Sequence, residues 1–330
     1  MKSGAVFFVL RTIRRIIMGY RIFVDSGANI PAILCKKYDI DVLSFVNYVD
    51  GKELVCFNPE LSALEERLEG EKYYNRIRRG ADVKTSLLNQ AFFMKAFKPV
   101  LEAGEDIICL NISSGISGTY NAARLAGEDL AEQYPDRKIF VIDTKNASLG
   151  SGIHAINASI MRSEGRTIEE VVKRINNDIP KMNGLFTVDN LKYLAKTGRV
   201  KGAVAVAGNV LNIKPILRGN ADGFIVQFDK VRGRRKSLAE LCTLFINNIE
   251  RPENQIVGIA HADAYEEALE CAAIIKNNVN VKDVIITSYD FCTGSHVGPE
   301  TIAVFFLAKD RELTATAGAP KLSLLTNGIA

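Results

Sequence analysis

The chain is 330 residues long, 47% hydrophobic and 24% charged, the balance of a soluble globular protein with room for two domains and a sizeable core in each. A formal net charge of +4 is too small over that length to read as a nucleic-acid-binding surface. Six scattered cysteines (Cys35, Cys56, Cys109, Cys242, Cys271, Cys292) without a CxxC pair, and three well separated histidines, exclude a zinc constellation and read as reduced core residues of a cytosolic chain.

The opening "MKSGAVFFVLRTIRRIIMGY" carries an apolar run, Ala5–Leu10, far short of the roughly 20 residues that cross a bilayer. Arg11, Arg14 and Arg15 follow that run, the wrong order for a signal peptide. Residues 1–18 therefore read as an arm left by an upstream start, with Met18 just before the first strand. The competing reading is a short amphipathic helix in transient contact with a membrane surface. "RIFVDSGANIP" then predicts a strand, with a helix over 31–37. Residues 50–84 are polar and predict a hairpin near Val46–Cys56 followed by helical segments, in which Leu61, Leu64, Glu65, Leu68 and Glu69 mark an amphipathic helix with an acidic face.

"DIICLNISSG" predicts the next strand from Asp106, leading into a helix with Ala122, Leu125, Ala126 and Leu130 inward. "KIFVIDTKNASLGSG" predicts another from Lys138, then a helix over 152–162. This alternation argues for an α/β domain with a largely parallel sheet flanked by helices. Functional loops in such sheets gather at the carboxyl ends of the strands, so Asp25–Asn29, Ser113–Thr119 and Asp143–Ser148 are expected side by side. Beyond about residue 155 the texture changes. A helix over 167–177 is followed by "DGFIVQFDKVRGRRKSL", read as two edges of a hairpin before a helix over 236–249. Strands "QIVGIAH", "DVIITSYD" and "TIAVFFLA" come next, with a helix over 264–276 between the first two and "FCTGSHVGPE" joining the last two. A second α/β domain with a mixed sheet fits. The expected division is an arm over 1–18, an N-terminal domain over 19–160, a C-terminal domain over 161–308 and a loosely ordered tail over 309–330.

The segment "SSGISGT", Ser113–Thr119, stands out. Hydroxyls and glycines at a strand end, opening a helix, make an anion cradle, because first-turn N–H groups lack partners and the helix dipole favours negative charge there. Gly115 and Gly118 let a ligand approach the backbone. The plainer reading is an N-cap on Ser117 or Thr119. The segment has no GxxxxGK[ST] and no lysine in the following turn, so it is not a P-loop. "GISGT" also lacks the G-x-S-x-G spacing of a nucleophile elbow. A carboxylate is the better match. Asp25 and Asp143 end strands beside it and would repel such a ligand, so both are expected to cap loops through hydrogen bonds.

Seven fragments in order, "FVDSGANIP", "KTS" (Lys84–Ser86), "ISSGISGTYNAA", "VIDTKNASLGSG", "LKYLAKTGRVKGAVAVAGNVLNIKPIL", "DGFIVQFDKVRGRRK" and "HVGPETIAVFF", resemble the DegV family over roughly residues 20–308. The resemblance implies a two-domain DegV-like fold with a lipid tunnel between the domains. It also implies a non-catalytic carrier of a long-chain fatty acid, which buries the tail and presents the carboxylate to a partner fatty acid kinase for acyl-phosphate formation. No metal or cofactor beyond the bound lipid is implied. Carried over by motif, Thr85 and the serines Ser113 and Ser114 match the carboxylate contacts, Ser114 ahead of Ser113, and Ser117 belongs to the same loop. His296 matches a histidine near the head group, and Arg199 an arginine associated with kinase engagement. His154 and His261 match no such motif and read as structural or surface residues. Arg232 and Arg234, in "KVRGRRK", form a solvated turn or a docking patch for an acidic kinase or an anionic membrane.

Departures from the family pattern are "TSLLN" for the usual "TSQPS", "VDSGANIP" for "TDSTADLP", and "HVGPE" for "HTGPG". The first puts Leu87 and Leu88 at the tunnel mouth and leaves chain-length preference open. Two rival readings use the same residues. One is a serine hydrolase built on Ser114 or Ser117, His296 and Asp25 or Asp143. The other is a phosphate-ligand enzyme of dihydroxyacetone-kinase type, which the missing lysine disfavours.

Overall fold

Strand β1 (Tyr20–Asp25) and strand β6 (Asp106–Asn111) are buried almost throughout, as expected for central strands of a parallel sheet covered on both faces. They pair with each other and with β2 (Asp41–Leu43) and β7 (Ile139–Asp143) in the order β2-β1-β6-β7, all parallel. The structure, a computed structural model, describes residues 19–200, 212–311 and 313. The proposed arm, residues 1–18, and most of the proposed tail lie outside the described residues. The two-residue period of the strands sends alternate side chains to opposite faces. Phe23, Ile107 and Cys109 pack under helices α3 (Gln90–Glu102) and α4 (Thr119–Gln133), while Ile22, Val24, Ile108 and Leu110 join the core around α5 (Leu149–Ser163).

A six-stranded mixed sheet follows, ordered β10-β9-β8-β13-β11-β12. Its strands are β8 (Met182–Thr187), β9 (Ile213–Gly219), β10 (Ile225–Arg232), β11 (Ile256–His261), β12 (Asp283–Ser288) and β13 (Ile302–Leu307). Only β11 and β12 pair in parallel. One face packs on α8 (Arg234–Asn248) and α9 (Tyr265–Asn278), with the Phe245 and Phe306 rings 4.7 Å apart. The other face, through Phe186, Leu217, Ala260 and Phe305, joins the core that contains α5. Helix α5 thus lies between the two sheets, and residue 160, the expected domain border, falls inside it.

That position explains the composition of α5. It buries Gly150, Ser151, Gly152, Ala155, Ala158 and Ser159, small residues that let two sheets approach one helix. A Cβ at Gly152 would sit 2.7 Å from Ala28 O, and one at Gly258 of β11 would sit 2.8 Å from Leu149 Cβ. The helix therefore starts at Leu149, not at residue 152, because "LGSG" is its first turn rather than loop.

Two further expectations are corrected, and one connection with no assigned structure proves helical. "DGFIVQFDKVRG" is one strand, β10, and its hairpin partner is β9. "FCTGSHV" is helix α10 (Phe291–Val297), capped when Asp290 accepts from Thr293 N–H at 2.8 Å. On α4 the inward residues are Ala123, Ala126, Gly127 and Leu130, and Leu125 is exposed. The expected hairpin near Val46–Cys56 is present as β3 (Val46–Val49) and β4 (Lys52–Val55), joined by β5 (Val83–Ser86) in a three-stranded antiparallel sheet. Helix α2 (Ala63–Arg78) follows that hairpin and starts with a capping box between Ser62 and Glu65. The remaining helices are α1 (Ala32–Tyr38), α6 (Ile168–Asp178) and α7 (Lys192–Thr197).

Candidate ligand site between the two sheets

The strand order places the three expected loops on adjacent strands, since β1, β6 and β7 are neighbours. Hydrogen bonds knit them together. Asp25 Oδ2 accepts from Ile112 N–H at 2.8 Å and from Asn111 Nδ2 at 3.4 Å. Asp143 Oδ1 accepts from the N–H groups of Ser114 (3.2 Å) and Lys145 (3.0 Å). Both aspartates therefore cap loops, as the sequence predicts.

A cavity of about 430 Å³ lies where these loops face the second sheet. Gly115–Gly118 and Asn146–Ser148 form one side, and Gly184, Phe186 and Phe305 the other. Helices α7 and α10 close it with Leu194, Val297 and His296. Thr85 comes from β5, whose alternation turns Val83 and Thr85 inward and leaves Lys84 and Ser86 exposed. Its cross-strand partner Asn47 donates to Phe291 O at 2.7 Å, and Tyr73 Oη donates to the same oxygen at 2.6 Å. The small sheet is thereby pinned to the start of α10, which sets Thr85 Oγ1 3.3 Å from His296 Nε2.

His296 is held neutral. Burial, reinforced by the Arg199 guanidinium, lowers its pKa to about 4. Its Nδ1 is buried and has no partner among the described residues. If Nε2 donates to Thr85, the threonine hydroxyl proton is free for a ligand; if Nε2 accepts, the free donor is Nδ1–H. Either tautomer leaves one uncharged donor.

The hydroxyl loop divides by function. Ser117 lines the cavity, and its Oγ lies 2.9 Å from Thr119 Oγ1 and accepts from Thr119 N–H at 3.2 Å. Ser113 and Ser114 are not on the cavity wall. Ser113 is fully buried, and its Oγ donates to Gly223 O at 2.9 Å and accepts from Gly115 N–H at 3.1 Å. It bridges the loops of the two sheets. Ser114 Oγ accepts from Lys145 Nζ at 3.1 Å. Gly115 and Gly223 meet beside this bridge, where a Cβ on Gly115 would lie 2.7 Å from the Gly223 carbonyl carbon.

Arg199 lines the cavity next to the Gly198 cap of α7, and its Nη1 donates to Thr197 O. Arg232 is exposed on the outer strand β10. Arg234 is not an open docking group, because its guanidinium is paired with Glu267 across two hydrogen bonds of 3.0 and 3.2 Å and a third, shorter one. The sequence reading missed two basic residues. Lys145 lines the cavity, with Nζ 2.9 Å from Asp143 Oδ2. Arg311 is buried and donates to the carbonyls of Lys145, Asn220, Thr144 and Ile179. It lies within the stretch expected to be a loose tail, so that tail does not begin at 309. Lys145 follows a strand-ending aspartate in "DTKNAS", a findable signal; Arg311 sits in a stretch without period and carries none.

The hydrolase reading needs a serine beside His296. The structure pairs His296 with Thr85, and among the described residues no aspartate orients Nδ1. Among the described residues no three His, Cys, Asp or Glu side chains converge on a metal position, and no helix is long and apolar enough to cross a membrane.

Comparison with known proteins decides the family. The sequence profile described as "Uncharacterised protein, DegV family" matches residues 20–309. The chain belongs to the DegV family. A DegV domain-containing protein of Clostridium perfringens is 36% identical over 291 residues, which is 88% of this chain and 98% of that one. A DegV lipid-binding protein of Thermotoga maritima shares 30% identity and a TM-score of 0.74 over 89% of this chain and 99% of its own. A second T. maritima protein, whose structure is described as revealing fatty acid binding function, matches at 30% and 0.74 over 88% and 99%. The DegV fold thus accounts for the parallel sheet and the mixed sheet.

Proposed function

We propose that this DegV chain is a carrier that binds a long-chain fatty acid in the cavity between its sheets and presents the carboxylate to a separate kinase. The observation that carries the reading is the pair Thr85 and neutral His296, 3.3 Å apart, on the wall of a cavity that Phe186, Leu194 and Phe305 also line. Each buried methylene contributes roughly 0.8 kcal/mol, so the tail supplies most of the affinity. The head then needs donors that prevent an unpaired buried charge. Thr85, Ser117 and His296 supply them without a strong ion pair, which suits a carboxylate that must later react. Arg199 at the same wall supplies positive potential where a kinase would bring phosphate. The T. maritima neighbours described as lipid-binding and as revealing fatty acid binding function support this reading, and the pairing of His296 with Thr85 weighs against hydrolysis.

Denaturing extraction of the purified chain followed by lipid mass spectrometry tests it. One long-chain fatty acid per chain is expected, and none after loading with oleate would overturn the reading. Thr85→Ala with His296→Ala should weaken oleate binding about tenfold or more, the one hydrogen bond that the pair donates to a charged group being lost. Ser114→Ala should change it by about twofold at most, since Lys145 already engages that hydroxyl. With ATP and a fatty acid kinase, the loaded chain should yield acyl phosphate, and Arg199→Ala should slow that step by a larger factor than it weakens oleate binding.

A further inference from the structure

A second cavity, of about 310 Å³, lies beside the first. It is bounded by the turn after β1, the segment after β4, helix α2 and the end of β12. Tyr289 is the one described residue that lines both cavities. On either side of it the chain divides between them: Thr287, Ser288, Asp290 and Phe291 line the second, and Cys292, Thr293 and His296 the first. Tyr289 is therefore the partition between the two spaces. Its backbone is fixed on both sides, since its N–H donates to His261 O at 2.8 Å and its carbonyl accepts from Tyr74 Oη at 3.2 Å. The residue is 5% exposed, and burial pushes the phenol pKa up, so the ring presents no charge to either cavity.

The second cavity suits an alkyl chain, because its carboxylates are already engaged by donors of the protein. Asp290 accepts from Thr293 N–H at 2.8 Å and from Asn29 Nδ2 at 3.1 Å, and Asp25 accepts from Ile112 N–H at 2.8 Å. Glu66 accepts from Ala32 N–H at 3.0 Å, and Glu69 from Lys72 Nζ at 2.8 Å. The apolar wall offered to an occupant is Ile30, Val42, Leu54, Phe57 and Phe291. Helix α10, whose seven residues span roughly 10 Å, separates Tyr289 from His296. A carboxylate held by Thr85 and His296 is thus out of reach of Tyr289, and the ring meets the acyl tail instead.

We propose that Tyr289 sets the length of acyl chain this protein accepts, by confining the tail to the first cavity and shutting it out of the second. The assignment rests on the fatty acid reading and names the property of the substrate that the site selects. Each further methylene moved from water onto an apolar wall is worth about fourfold in affinity, so a ring that withholds that wall discriminates steeply against longer chains.

Displacement of a fluorescent fatty acid from the full chain, by oleate and by erucate, tests it. Erucate is oleate lengthened by four methylenes, and the wild type should favour oleate. Tyr289→Ala joins the two cavities and should raise the ratio of erucate to oleate affinity about tenfold or more. Tyr289→Phe keeps the ring and should move that ratio about twofold at most. Leu54→Trp, which adds bulk to the wall of the second cavity, should take back most of the gain when combined with Tyr289→Ala. Should Tyr289→Ala fail to fold, Tyr289→Leu opens a narrower passage and should raise the ratio about threefold or more. An unchanged ratio in the folded Ala or Leu variant would overturn the assignment, as would an equal rise in Tyr289→Phe or a gain that Leu54→Trp leaves intact. A wild-type chain that binds neither fatty acid would overturn the fatty acid reading itself, and the assignment with it.

Discussion

At the scale of single residues, Asp25 is a carboxyl group placed where its charge is expensive. It is buried, and burial, opposed by the bonds from Ile112 N–H and Asn111, raises its pKa to about 7. The folded state therefore holds a proton between about pH 4 and pH 7 that the unfolded chain has released. Stability from this group is present below that window and is lost as pH rises through about 7. Asp25→Asn keeps an oxygen for Ile112 N–H and removes the charge. Its urea midpoint should exceed that of the wild type at pH 8, by at most about 4 kcal/mol of stability, and the gain should vanish near pH 4. A difference that stays flat with pH would show that desolvation of Asp25 does not govern the site. The aspartate's capping role was legible in the sequence, since a bare carboxylate at a strand end beside an anion site has to be engaged by the backbone. Its wish for a proton was not, because that depends on how completely the two sheets cover it.

At the scale of elements, the hydroxyl-rich loop was legible as a special turn, but its labour is divided in a way spacing cannot reveal. Ser113 and Ser114 are adjacent in sequence, yet one crosses to the turn before β10 and the other meets Lys145. The partner of Ser113 is 110 residues away, beyond any periodicity. Helix α10 was hidden for a similar reason: "FCTGSHV" has little intrinsic helical preference and is held by the Asp290 cap and by Tyr73 and Asn47 on its first carbonyl. The Ser113 bridge makes a prediction. Gly223 has φ +82°, and a Cβ there would overlap Ser113 Oγ. Gly223→Ala should cost about 2–3 kcal/mol through strain and overlap, and Ser113→Ala about 1–2 kcal/mol through lost hydrogen bonds. Combined, they should cost less than the sum, because removing the hydroxyl relieves the overlap. Strict additivity in chemical denaturation would mean that the two loops do not meet at this point.

At the scale of the molecule, the alternation of strands and helices in the first half was legible because both faces of a parallel sheet must be covered, and the pattern records that. The placement of α5 between two sheets was not, since its glycines and serines answer to backbones far off in sequence rather than to local turn chemistry. Arg311 is the extreme case. It follows the last strand in an aperiodic stretch, yet its guanidinium reaches Lys145 O (2.8 Å) and Thr144 O (3.3 Å) after β7, Ile179 O (3.0 Å) before β8 and Asn220 O (2.9 Å) after β9. Burial lowers its pKa to about 10, with Asp143 working in the opposite sense, so it stays charged at neutral pH and all four bonds are charge-assisted. Arg311→Met keeps the apolar stem and removes the guanidinium from four carbonyls, of which Asn220 O and Ile179 O keep a backbone donor in Gly223 N–H and Met182 N–H. The expected loss is about 3 kcal/mol or more, and because two of the carbonyls belong to the loop carrying Lys145, oleate affinity should fall with it. Arg311→Lys, a single point donor in place of a planar fork, should recover only part of either quantity. Recovery of both in full would mean that charge alone, rather than the four-way geometry, joins the two sheets across the cavity.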